Sequence, residues 1–228
     1  MTAERITVVV ATKNQHKVRE LAALFAGLPV ELVPMTEVVR SSFNVIEDGA
    51  TFEENARKKA RLVCEESMMV TLADDSGLEV DALGGRPGVR SARFAHEKAT
   101  DAENNAALLS ALEEFQDPQR TARFRCVLCL YDPWQRRGAD PIVAEGACEG
   151  RIAAGPRGSG GFGYDPLFLV TDQGGRAMAE LSDAEKNAVS HRGRAAARIA
   201  PHLDELVRAH LGDVERISGR RPSIARPR

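Results

Sequence analysis

The sequence predicts an α/β fold: a mixed β-sheet with flanking helices. Three observations carry this. Residues 6–11 and 68–73 are short, mostly apolar runs with the composition of buried strands. Between such runs, apolar residues recur at helical spacing, as Val18, Leu21, Leu24, Phe25 and Leu28 do. Residues 121–131 and 141–148 are strand-like and joined by a loop at 132–140, which reads as a hairpin. The order of strands and helices is mixed, and no repeat or clean linker divides residues 1–212. One α/β domain is expected, open to a division into two lobes.

Taken in order, the chain begins with strand 6–11, a polar turn, and a helix closed by Gly27 and Pro29. Thr12 or Asn14 can cap that helix. Lys13 and Lys17 flank its first N–H groups, which makes a plausible anion site. Residues 30–33 form a second strand. Glu47, Asp48 and Gly49 make an acidic turn, and Thr51 with Glu54 forms a capping box for a helix running to about Glu66. Strand 68–73 then ends at Asp74 and Asp75, with Ser76 and Gly77 as turn chemistry. Thr100 and Glu103 open a helix with Leu108, Leu109 and Leu112 on its apolar face, ended by Asp117 and Pro118. After the hairpin come a glycine-rich loop at 150–161 and a strand at 166–170. Ser182 and Glu185 form another capping box. A helical pattern from about Val189 to Leu211 should break or kink near Ile199, because Pro201 lacks an N–H and clashes one turn back. Residues 213–228 read as an arginine-rich mobile tail.

Composition excludes several classes. The net charge of -2 over 228 residues gives no basic field for nucleic acid. Four cysteines in a chain this long are no disulfide framework. Cys126 and Cys129 lie three apart in a strand, on opposite faces, so they do not chelate one metal. No apolar run approaches the roughly 18 residues needed to span a bilayer, and no signal peptide is visible. A reducing cytoplasm fits best.

Four clusters carry possible chemistry. Two acids end a buried strand, where they need cationic compensation; alone, a solvated turn explains them equally well. The lysine turn at 12–17 is the second. The third, residues 158–163, satisfies Gly-x-Gly-x-x-Gly, but it leads to a strand through Pro166 and opens no helix, so no dinucleotide fold is implied. What remains is a loop that lets backbone approach a ligand, with Phe162 and Tyr164 free to stack on a flat ring. Lys186, His191 and Arg192 form the fourth, suited to phosphate oxygens or keto acceptors. Together these are the parts of a metal–triphosphate site: acids hold Mg²⁺, cations take phosphate charge, and aromatics take a base. A non-catalytic nucleotide sensor and a nucleic-acid binder are the rival readings.

The motifs Thr12-Lys-Asn-Gln-His-Lys17, Thr51-Phe-Glu-Glu-Asn-Ala56, Ala73-Asp-Asp-Ser-Gly-Leu78 and Leu83-Gly-Gly-Arg-Pro-Gly88 occur in that order. Gly160-Gly-Phe-Gly-Tyr-Asp-Pro166 and Ser190-His-Arg-Gly193 follow. This set resembles the inosine triphosphate pyrophosphatase family, the bacterial dITP/XTP pyrophosphatases in particular, over about residues 6–211. The resemblance implies an elongated mixed sheet with a central cleft between two lobes. It also implies Mg²⁺-dependent hydrolysis of ITP, dITP and XTP to monophosphate and pyrophosphate, which clears mutagenic precursors from the nucleotide pool, and a cytoplasmic homodimer. By position, Asp75 matches the proton acceptor and metal ligand, and Glu47 a second metal-binding acid. Thr12, Lys13, Asn14, Gln15, His16 and Lys17 match the phosphate-binding segment. Ser76, Phe162, Gly163, Tyr164, Asp165, Lys186, His191 and Arg192 match other substrate-binding positions. His191, Arg192 and the backbone near Phe162 are the candidates for rejecting an amino group on the base. A related fold acting on modified pyrimidine triphosphates is the nearest enzymatic alternative.

Overall fold

The computed structural model describes residues 5–134 and 140–218. Residues 1–4, loop residues 135–139 and the last part of the expected tail, 219–228, lie outside it. Six strands form one sheet in the order β2-β1-β3-β4-β5-β6. They are β1 (Ile6–Val10), β2 (Val30–Pro34), β3 (Thr71–Val80), β4 (Thr121–Tyr131), β5 (Ile142–Ile152) and β6 (Phe168–Val170). The helices are α1 (Gln15–Leu24), α2 (Phe52–Ser67), α3 (Asp101–Ala111), α4 (Asp183–Val189) and α5 (His191–Ser218). β2, β1 and β3 are parallel, whereas β3 to β6 are antiparallel, so the sheet is mixed as expected.

Helices α1 and α5 cover one face of the parallel half, burying Leu21, Phe25, Ile199 and Leu203 against Val8, Val10 and Leu72. Helix α2 covers the other face with Ala56, Ala60 and Val63 against Val9 and Ala73. A separate core at the far end gathers Leu78, Val80, Leu108, Phe124 and Phe168. The long strands β3, β4 and β5 run through both ends, and the polar stretch 74–77 of β3 falls between the two cores. That places the cleft. Cys126 and Cys129 sit in different cores on opposite faces, as their spacing requires, and all four cysteines are buried and free.

Several boundaries differ from expectation. β3 does not stop at Asp74. Every residue from Thr71 to Val80 pairs with β4, so Asp-Asp-Ser-Gly lies in the ladder and no turn forms there. Gly77 answers a close approach instead: a Cβ there would run into Ser91 Oγ and the Gly88 carbonyl. β5 likewise continues to Ile152, and the glycine-rich loop begins only afterwards. Helix α5 passes through Pro201 unbroken and on through Gly212 to Ser218. Pro201 faces solvent, while Ala195, Ala196 and Ile199 before it and Leu203, Leu206 and Val207 after it share one core. Burying each of Ile199, Leu203, Leu206 and Val207 contributes about 1.5–3 kcal/mol, which together outweighs a proline penalty of about 3 kcal/mol. Thr51 caps α2 through the Glu54 N–H (3.1 Å), but Glu54 reaches back to Ala50 N rather than closing the box. The boxes on α3 and α4 are complete.

Gly146 lets α5 lie directly on β5. A Cβ there would overlap the His191 carbonyl and the Ala195 nitrogen, both backbone atoms that cannot give way singly. Gly146→Ala is expected to lower stability by about 1–3 kcal/mol, the usual range for overpacking. A urea midpoint unchanged from wild type would contradict this.

Candidate active site

β1 pairs with β3 only at Thr71 and Leu72, and the last contact is Ala11 N–H to the Leu72 carbonyl (2.9 Å). Further along, residues 87–91 cover the same edge, through a bridge between Glu79 and Pro87 and through Leu78 N–H donating to Ser91 Oγ (2.8 Å). Residues 74–77 lie between these two covers, where no strand pairs that side among the described residues. This gap opens at the carboxyl end of the parallel strands, where open α/β sheets bind ligands.

Adjacent strand residues point to opposite faces. Asp74 therefore faces α1 and α5, and Asp75 faces α2. Asp74 is fully buried. It accepts from Lys17 Nζ (2.5 Å), Arg192 Nε (2.7 Å) and Ser76 Oγ (2.9 Å). Burial opposes its ionisation, but Arg192 and Lys17 outweigh it and hold the carboxyl well below the usual range. From there ion pairs continue. Arg192 Nη1 meets Glu20 Oε2 (2.5 Å), Lys186 Nζ meets Glu20 Oε1 (2.6 Å), and Lys186 also meets Asp165 Oδ2 (2.7 Å). Three cations and three carboxylates alternate from the lysine turn to the aromatic loop, so the buried charge is balanced pair by pair.

On the other face, Lys59 Nζ lies 2.7 Å from Asp75 Oδ1, 3.3 Å from Glu47 Oε1 and 2.9 Å from the Asp74 carbonyl oxygen. Burial raises the Asp75 pKa despite Lys59, whereas Glu47 is lowered because Lys59 and a hydrogen bond from Asp75 outweigh its burial. The two carboxylates share the Lys59 ammonium, with Lys17 acting on both from farther off, and a further cation would favour their joint ionisation. Among the described residues no cluster of three His, Cys, Asp or Glu forms a closed metal cage. Two carboxylates with open coordination suit Mg²⁺, which keeps water and phosphate ligands. Asp75 and Glu47 thus fit such an ion.

The cleft beside Asp74 has a volume of about 130 Å³. Asn14, Lys17, Ser76, Phe162, Gly163, Tyr164, Asp165, Lys186, His191 and Arg192 all line it. Glu47 lines an adjoining groove of about 650 Å³. Thr12, Lys13, Gln15 and His16 are not among the cleft-lining residues. Thr12 Oγ1 accepts from Asn14 N–H (3.1 Å), and Lys13 reaches Asn44 (3.1 Å). His16 stands 5.2 Å from the Phe162 ring. Asn14 is the α1 cap and takes the N–H groups of His16 and Lys17, so the chain itself fills part of the expected anion site. Phe162 lies under Lys186 Nζ, 4.8 Å from the ring centroid. Tyr164 does not stack in the cleft: its ring joins the far core and its hydroxyl donates to the Ser91 carbonyl (2.8 Å). Asp165 accepts Phe162 N–H (2.9 Å) as well as Lys186, and burial raises its pKa. His191 stacks on Phe124 at 4.7 Å with Nδ1 unpartnered, and burial followed by Arg192 keeps it neutral, with its pKa well below the usual value.

Residues 8–202 match the Ham1 family. The chain belongs to it. Among this Ham1-family chain's relatives, one from Geobacter sulfurreducens is named dITP/XTP pyrophosphatase; it is 51% identical over 195 residues, covering 86% of this chain and 95% of the relative. The structure of a HAM1 protein from Coxiella burnetii superposes with a TM-score of 0.77 at 42% identity, covering 88% of this chain and 99% of the other. A nucleoside-triphosphatase/dITP/XTP pyrophosphatase structure from Mycobacterium abscessus gives 0.68 at 43% identity, covering 86% and all (100%) of the two chains. The resemblance and the mixed-sheet fold read from the motifs are borne out.

Two residues of the candidate site escaped the sequence reading. Lys59 lies inside α2 and Glu20 inside α1, and each reads there as an ordinary helix charge. The one available signal was helical phase: Lys59 is four residues from Asn55 and Val63, on the buried face of α2.

Proposed function

We infer that the protein hydrolyses deaminated purine nucleoside triphosphates (ITP, dITP and XTP) to the monophosphate and pyrophosphate, with Mg²⁺ as its metal. The observation that carries this is the Asp75–Glu47 pair on Lys59, beside the open edge of β3 and a cleft lined by Lys17, Phe162, Lys186 and Arg192. The groove that Glu47 lines, about 650 Å³, is within the usual range for small-molecule sites.

Asp75 and Glu47 would hold Mg²⁺, which supplies neutralisation of triphosphate charge. Lys13, Lys17 and Lys59 carry the remaining positive charge toward the phosphates. Asp75 takes a proton from the attacking water at its carboxylate. It suits a general base better than Asp74, whose oxygens are taken up by Lys17, Arg192 and Ser76. Water oxygen bonds to the α-phosphorus as the bond to the α–β bridging oxygen breaks, and pyrophosphate leaves. At the other end Phe162 stacks on the base, while Lys186, Arg192 and neutral His191 present donors to a keto oxygen. An amino group there would meet donors and leave them unpaired, so selectivity is steep. We place the enzyme in the cytoplasm as a homodimer, without nucleic-acid or membrane partners. No described helix is long and apolar enough to cross a membrane.

A panel of ITP, dITP, XTP, GTP, ATP and modified pyrimidine triphosphates, assayed with Mg²⁺, tests this. Expected products are monophosphate and pyrophosphate, with the deaminated purines favoured by at least about a hundredfold and activity lost on adding chelator. Release of orthophosphate, or equal rates on all bases, would refute it.

A further inference from the structure

The base end of the cleft is braced by a helix that contributes no cation to it. Helix α3 sends two side chains, four residues apart and so on one face, to a single residue of the aromatic loop. Asp101 Oδ2 accepts Gly163 N–H at 2.7 Å, and Asn105 Nδ2 donates to the Gly163 carbonyl at 2.9 Å. Gly163 is thus held at both polar atoms. Its φ of +61° is one of several conformations open to glycine, so the clamp fixes a residue that would otherwise be free to take others. Between them Asn104 holds residues 92–95, accepting Ala95 N–H (3.0 Å) and donating to the Ala92 carbonyl (3.1 Å). Tyr164 ties the two loops together through Ser91. Phe162, immediately before Gly163, is one of the rings that line the cleft.

We propose that Asp101 and Asn105 are positioning residues for base recognition, holding the Gly163 peptide so that the Phe162 ring stays set for an incoming purine. This rests on the pyrophosphatase reading for its substrate, though not for the clamp itself. The hydrogen-bond chemistry is asymmetric. Position 101 needs an acceptor, so Asp101→Asn keeps function. Position 105 needs a donor, and Asn105→Asp puts a carboxylate oxygen against the Gly163 carbonyl at nearly constant volume.

Four proteins decide it: wild type, Asp101→Ala, Asp101→Asn and Asn105→Asp. In ligand-free protein, amide hydrogen exchange over 162–165 should be about tenfold faster in Asp101→Ala and Asn105→Asp and near wild type in Asp101→Asn. With ITP, the first two should raise KM about tenfold while kcat stays within about threefold. Inhibition by IMP should weaken in parallel, and inhibition by pyrophosphate should not change. Unchanged exchange over 162–165, or equal loss of IMP and pyrophosphate affinity, overturns the proposal. Should Asp101→Ala fail to fold, the isosteric Asn105→Asp carries the same comparison. A wild-type protein that releases no pyrophosphate from ITP sinks the pyrophosphatase reading alone, because exchange in ligand-free protein still decides the clamp.

Discussion

Asp75→Asn is expected to lower kcat on ITP by about 10³-fold, within the range for loss of a general base, while the protein stays folded. Asparagine keeps the shape of the side chain and an oxygen for Lys59, but it cannot accept the proton of the attacking water or bring charge to Mg²⁺. The fold should tolerate it for an electrostatic reason. Burial raises the Asp75 pKa in the native state, so the native protein binds protons more readily there than the unfolded chain does. That stabilises below the unfolded pKa and is lost as pH rises through the folded one. At neutral pH a neutral amide therefore removes a buried charge that opposed folding. Initial rates of pyrophosphate release and a thermal melt measure the two effects. Turnover within tenfold of wild type would remove Asp75 from the mechanism.

Arg192→Met should produce the largest loss of stability, about 3–5 kcal/mol at pH 7, the cost of breaking a buried ion pair from one side. Arg192 is 1% exposed and touches Asp74, Glu20 and Ser76 at once. Without it, fully buried Asp74 keeps only Lys17 as a cation, and Glu20 keeps only Lys186. Lysine should not rescue, since one ammonium cannot reproduce a planar fork that reaches three partners. The pH dependence has a definite sign. Arg192 and Lys17 outweigh burial and depress the Asp74 pKa, so its contribution is present above the unfolded carboxylate pKa and fades as pH falls through the folded value. The gap between variant and wild type is therefore widest near neutrality and narrows below about pH 4. Urea titrations at pH 7 and pH 3 check it, and a gap that does not change with pH would contradict the assignment.

Much of the site was legible because its residues come in short, chemically unusual clusters. Two acids after an apolar run, a lysine turn and a Lys-His-Arg group each read as candidates, and their order along the chain carried the family resemblance. The two cleft carboxylates could not be told apart from spacing alone. Their separation depends on β3 continuing past them, because only in a strand do neighbours face opposite ways. Local chemistry argued for a turn at Asp74–Gly77. Ten register pairs with β4, formed some fifty residues away in sequence, decided otherwise. Tyr164 was misread as a stacking ring for the same kind of reason: which face of a loop an aromatic takes is set by the core it can reach.

By itself, the sequence determined the alternation of strands and helices, the capped starts of α2, α3 and α4, and the residue types gathered in the cleft. These follow from periodicity and local hydrogen-bond chemistry, which act over a few residues. Only the tertiary structure decided that α5 runs through Pro201, that Lys59 and Glu20 join the candidate site, and that Asp74 is held by Lys17 and Arg192 while Asp75 faces Lys59. Each of these depends on burial and on charges brought together from distant segments. In a low-dielectric interior such neighbours outweigh local propensity and set which carboxylate can work.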